Sequence, residues 1–236
     1  MSIKGVGEYH FLCFYFTIYM IDDKLLIIGN GFDIDLGLNT GYKDFVNSEY
    51  FKSCLHKNAL FNYIYSSFED NDKKWIDVEN VLLEYSKNQL VGIDNKAIKN
   101  FQELRCSLME YLKNMDLQSK LNPDSVAARL LRKVLDDGYF NILSFNYTNL
   151  NEIVYYLGIN KLTNYIHVHG SLLNNSIIVG FQDDVDVLPS KYFMIKSHSP
   201  YYRSCNVRER LEKANEIIFF WTFFGIYRLS LFFRFF

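Results

Sequence analysis

Four consecutive apolar residues, Leu25 to Ile28, are stopped by Gly29, Asn30 and Gly31 and followed by Asp33 in the run "LLIIGNGFD". The run does not alternate between apolar and polar positions. A strand exposed on one face alternates, so this pattern predicts a strand buried on both faces, as in a parallel sheet covered by helices. In open sheets of that kind, ligands bind beyond the carboxyl ends of the strands. A glycine pair there lets the backbone approach a phosphate, and the next helix offers its first N–H groups. Asp33 is then placed either to hold a ribose hydroxyl or to cap that helix. The stretch lacks the spacing of the usual dinucleotide fingerprint. A tight strand-to-helix turn with an ordinary acidic cap fits it as well.

The rest of the chain alternates between helical and strand patterns. From about Gly41 to Met115 the period is helical, and "NKAIKNFQELRCSLMEYLKNM" places Ile98, Phe101, Leu104, Leu108, Leu112 and Met115 on one face. "NPDSVAARLLRKVLDDG" predicts a helix with Asn122 as cap, Pro123 at its first position and Gly138 as its stop. Strands follow at Tyr139 to Phe145, Tyr165 to Gly170, Ser176 to Phe181 and Ile217 to Phe220, with a short helix from about Leu150 to Leu157. The predicted fold class is α/β: an open, doubly wound, mostly parallel Rossmann-like sheet with a helical insertion after the first strand.

Composition limits the function classes. With 236 residues, 49% hydrophobic and 22% charged, the chain suits one domain, or one core with a helical insertion. A formal net charge of −2 gives no positive field directed at nucleic acid. Cys13, Cys54, Cys106 and Cys205 have no paired spacing, which suits free thiols in a reducing cytoplasm. "HFLCFYFTIYM", from His10 to Met20, is far shorter than the ~18–20 apolar residues of a membrane span. It also lacks the small-residue cleavage site of a signal peptide. The expectation is therefore a cytoplasmic protein without direct nucleic-acid or membrane binding. Met20 precedes the first core strand, so residues 1–19 read as a non-native extension and 20–220 as the domain, with a helical insertion at about 41–137.

Two more strand ends carry chemistry. "ILSFNYT" finishes in Asn146, Tyr147 and Thr148. The Asn146 amide can donate and accept at once, which suits a carboxamide, a ribose or a positioned water; it could equally cap the following helix. In "YIHVHG" the alternation of a strand puts His167 and His169 on one side. Histidine is readily poised for proton transfer near neutral pH. The two could also form half a metal site, but no Cys pair, further His pair or acidic cluster completes it. His167 fits a buried, hydrogen-bonded core position. His169, next to Gly170, is favoured as the working group. Trp75, Asp77 and Glu79 begin a helix, where acids favour the dipole.

In order along the chain, "KLLIIGNGFDIDLGLNTGYKDF", "WIDVE", "ILSFNYT", "IHVHGSL" and "IIVGF" resemble the bacterial abortive-infection AbiH family, over roughly Lys24 to Phe220. That family in turn resembles sirtuin-like nucleotide-binding domains. The resemblance implies an anti-phage protein that binds NAD or a related nucleotide and cleaves its nicotinamide–ribose bond. Gly29, Asn30, Gly31 and Asp33 match the phosphate loop, and Asn146 matches the Asn of the sirtuin Gln-Asn-Ile-Asp stretch. His169 matches the His-Gly histidine, followed by Gly170. Asn146 and His169 are then catalytic, with Thr148 and Gly170 beside the nucleotide. Thr148 stands where that stretch has Asp, so a charge-stabilising carboxylate would have to come from Asp33 or Glu79. The zinc-ribbon cysteines of protein deacetylases are missing, and no metal is expected.

The resemblance leaves a second class open, a nucleotide-sensing or partner-binding defence protein that does not cleave its ligand. Homo-oligomerisation and a phage-derived trigger are the expected interactions. A nuclease-like effector is disfavoured by the lack of an acidic metal cluster and a basic groove. After "ANEIIFF" the family pattern continues with Gly-His-Ser, whereas residues 221–236 read "WTFFGIYRLSLFFRFF". Dropping one base from a permitted codon choice for that segment restores Gly-His-Ser. The tail is therefore expected to be frameshifted, and the chain as it stands to have little activity.

Overall fold

The computed structural model describes residues 11–17, 24–69, 78–87, 95–137, 140–159 and 165–222. The expectations for Met20, Trp75, Asp77 and Gly138, and for the tail beyond Thr222, lie outside the described residues.

The described strands are β1 (Phe11–Thr17), β2 (Lys24–Ile28), β3 (Phe140–Ser144), β4 (Tyr165–His167) and β5 (Glu216–Thr222). The helices are α1 (Asn30–Asp35), α2 (Tyr42–Asn47), α3 (Glu49–Lys52), α4 (Ala59–Glu69), α5 (Val78–Lys87), α6 (Asn95–Lys113), α7 (Leu117–Lys120), α8 (Val126–Asp137), α9 (Leu150–Tyr156) and α10 (Val207–Lys213). They divide into two compact units. The first comprises residues 1–39, 116–168 and 204–236 and carries the sheet; the second comprises 40–115 and 169–203.

In the first unit the strand order is β1-β5-β2-β3-β4. β5, β2, β3 and β4 are parallel, and β1 runs antiparallel along the outer side of β5. The α/β, mostly parallel fold class is therefore as the unalternated run implied. β2 is buried because it has a strand on each side: Leu26 and Ile27 are fully inaccessible. One face packs Leu25, Ile27, Leu143 and Ile217 against Leu211 and Ala214 of the α10 region. The chain steps from β2 outward to β3 and β4, then returns to place β5 on the other side of β2. The order reverses between β2 and β5, which makes their carboxyl ends the topological switch point of the sheet.

Helix ends differ from the sequence expectation in instructive ways. α8 starts at Val126, not at Pro123, because Ser125 Oγ accepts from Ala128 N at 3.1 Å while Asn122 Oδ1 turns back to Asp124 N at 3.0 Å. α9 is capped by Asn149, whose side chain accepts from Asn151 N, and not by Asn146. The Asn149 amide also donates to Glu152 Oε1 at 3.1 Å, which locks that first turn.

The second unit is helical apart from its last stretch. α6 buries Ala97, Phe101, Leu104, Leu108 and Leu112, whereas Ile98 is exposed and Met115 lies beyond the helix end. Ser176 to Phe181 is not a strand. Its backbone groups go to scattered partners: Ile178 N donates to His169 O, Arg105 Nε donates to Ile177 O, and only Phe181 forms a bridge, to Ile195. Apolar burial of Ile177, Ile178 and Val179 produced the strand-like pattern without a ladder. Lys196, buried in this unit, pairs with Glu79 at 2.8 Å. No helix among the described residues is long and apolar enough to cross a membrane.

Candidate functional site

The ladder aligns Phe220, Ile28, Ser144 and His167 in one row across β5, β2, β3 and β4. The residues that follow this row form the carboxyl edge of the sheet. Beyond Ile28 the chain turns through Gly29 directly into α1. Gly29 N donates to Phe220 O at 3.0 Å, which ties the loop to β5 across the switch point. Phe32 of α1 packs edge-on against Phe220, with ring centroids 5.5 Å apart. Gly29 has an extended backbone and supplies no side chain to cap the helix. Neither Gly29 nor Gly31 has a positive φ. The pair is buried and does not make a left-handed turn.

Asp33 does not cap α1. It is a fourth-position residue inside the helix, only 1% exposed. Its carboxylate is taken by two donors from the loop after β3: Asn146 Nδ2 reaches Oδ1 at 2.8 Å and Thr148 Oγ1 reaches Oδ2 at 2.8 Å. The Asn146 amide also donates to Gly29 O at 3.0 Å. Four sequence-selected residues, Gly29, Asp33, Asn146 and Thr148, are thus one buried network joining the ends of β2 and β3. Burial pushes the Asp33 carboxyl up to about 7, although the Thr148 and Asn146 hydrogen bonds pull it down. Both Asp33 carboxylate oxygens are thus engaged within the loop.

The network extends to β4. His167 Nδ1 lies 2.9 Å from the carbonyl oxygen of Asn146. A carbonyl only accepts, so Nδ1 carries the proton of that hydrogen bond. The ring edge also packs against Tyr165. Burial holds the His167 pKa below its ordinary value, against the opposing effect of the Asn146 carbonyl. Ser144 beneath the loop accepts from Asn146 N at 3.2 Å and fixes its course.

His169 and Gly170 are placed differently. β4 ends at His167, so His169 is not on the strand with it, and both His169 and Gly170 belong to the second unit. His169 O accepts from Ile178 N at 2.8 Å. Gly170 has φ +72°, and a Cβ there would lie 1.9 Å from Ser176 O. That glycine has a conformational and packing reason of its own. Glu79 also lies in the second unit, engaged with Lys196. Among the described residues no group of three or more His, Cys, Asp or Glu is placed to hold a metal ion.

A profile for the family described as "Bacteriophage abortive infection AbiH" matches residues 25–222. The chain belongs to the AbiH family. No curated protein and no solved structure matches it. The AbiH match begins at the core strand β2 and runs through β5, so it covers the whole parallel sheet and the Asp33–Asn146–Thr148 network. Membership gives this AbiH chain its role in abortive-infection defence against bacteriophage. Most of the network's members are legible in the sequence, and its wiring is not. The available signal was that Asp33, Asn146 and Thr148 all follow strands buried in one sheet, so their side chains meet at one edge.

Proposed function

We propose that this AbiH protein binds NAD or a related nucleotide at the carboxyl ends of β2 and β5 and cleaves the nicotinamide–ribose bond. The observation that carries the reading is the placement of Gly29, Asn30 and Gly31 at the point where strand order reverses. Open parallel sheets bind ligands there, and the pyrophosphate of a dinucleotide suits a helix start that no side chain caps. The sirtuin-like resemblance of the loop, of Asn146 and of the His-Gly pair supports the same reading. In this reading Asn146 Oδ1 accepts from a water or the nicotinamide amide, its Nδ2 being held by Asp33 and Gly29 O. Thr148 lends its hydroxyl to Asp33.

Positive charge develops on the ribose in the transition state, and charge-stabilising groups are the main lever available to such a site. Both Asp33 oxygens are already occupied by side-chain donors, and position 148 is Thr. This favours a second reading: the loop senses a nucleotide without cleaving it. Incubation of the purified protein with NAD, followed by assay of free nicotinamide and by calorimetry, separates the two. Release of nicotinamide supports cleavage. Binding without release supports sensing. Absence of binding removes both.

A further inference from the structure

Among the described residues, four buried side-chain atoms have no hydrogen-bond partner, and one of them, Nε2 of His167, belongs to a ring bonded to Asn146. Its tautomer follows from the geometry. Nδ1 holds the proton that bonds the Asn146 carbonyl at 2.9 Å, so Nε2 of the neutral ring carries a lone pair. The carbonyl anchor and the edge contact with Tyr165 fix the ring plane. A fixed, desolvated acceptor facing no donor is costly to keep, and such groups call for an explanation. His167 also ends the strand next to β3, in ladder register with Ser144, and its anchor residue is Asn146 itself.

We propose that His167, rather than His169, presents the imidazole of the site, with Nε2 accepting a hydrogen bond from a hydroxyl of the bound nucleotide or from the water that attacks it. The proposal rests on the nucleotide reading above and assigns that site's acceptor. In the cleavage step, the water oxygen bonds to ribose C1′ as its proton passes to His167 Nε2. The C1′–N bond breaks, and its electron pair stays on the nitrogen of nicotinamide, which leaves neutral. The imidazolium then returns its proton to solvent. Asn146 fits this step because its carbonyl steadies the developing cation through Nδ1–H while its amide faces Gly29 and Asp33.

The test uses the full chain, both as it stands and in the frame that restores Gly-His-Ser, as wild type, His167→Gln and His169→Ala, with NAD as probe. Nicotinamide release, NAD affinity by calorimetry and the imidazole ¹⁵N spectrum of the wild type are read together. The expected result is a fall in release of about 10²-fold or more for His167→Gln, and a smaller fall for His169→Ala. The His167 Nε2 resonance should move as NAD saturates the wild type, a readout that stands even where His167→Gln fails to fold. Full turnover in a folded His167→Gln protein, or an unmoved Nε2 resonance with NAD bound, overturns the assignment and leaves the nucleotide reading intact. A wild type that binds no NAD overturns the nucleotide reading and this assignment with it.

Discussion

Asp33 is the residue on which the candidate site depends. A buried carboxyl whose folded pKa is raised to about 7 from an ordinary 3.8 holds its proton more tightly in the native state than in the unfolded chain. The sign follows directly. Its contribution is fully present below about pH 4 and is lost as pH rises through 7, by an amount on the order of a few kcal/mol. Asp33→Asn removes that titration. In melting curves the wild type should lose stability relative to Asp33→Asn as pH rises from about 4 to about 7, with a constant offset above that. Parallel curves would show that Asp33 is ionised throughout. His167 works in the opposite direction: its lowered pKa makes stability fall as pH drops below about 6.5. Thr148→Val tests the network by another route. It strips one donor from a buried carboxyl and should cost ~1–3 kcal/mol in denaturant unfolding.

At the scale of elements, the decisive piece is the β2–α1 turn. Gly31 is buried in the first turn of α1, and on the nucleotide reading a branched side chain there would block close approach of the phosphate. Gly31→Val is expected to abolish NAD binding in calorimetry while circular dichroism keeps its helix signal. Retained affinity would make the loop a turn and nothing more. The turn at Gly170 gives a contrasting expectation. Gly170→Ala meets Ser176 O at 1.9 Å under a positive φ, so thermal stability should drop whether or not a nucleotide is bound. The Lys196–Glu79 pair is a third element-level device. Lys196 is almost fully buried, and Glu79→Gln leaves its charge uncompensated, which should cost ~3–5 kcal/mol in the unfolding of the second unit.

For the molecule as a whole, the order β1-β5-β2-β3-β4 makes the last described strand an inner one. Until residues 216–222 arrive, β2 has an open edge and Gly29 N lacks its partner on Phe220. A chain ending at Asn215 should therefore show no cooperative melt and should aggregate through that edge. A soluble, cooperatively folding product would refute this. Long-range closure also explains what could be read from the sequence and what could not. The unalternated apolar run at Leu25–Ile28 determined a strand of a buried parallel sheet, because burial on both faces removes the polar positions. The glycine pair, Asn146 and Thr148 were legible as strand-end groups for the same local reason. The reversal of strand order, the capture of Asp33 by Asn146 and Thr148, and the Nδ1 anchor of His167 join residues 21 to 115 positions apart, and no local period records which strand ends become neighbours. Ser176 to Phe181 shows the converse: its apolar run determined burial, but strand or coil was decided by whether a partner backbone lay alongside, and only tertiary packing supplies one.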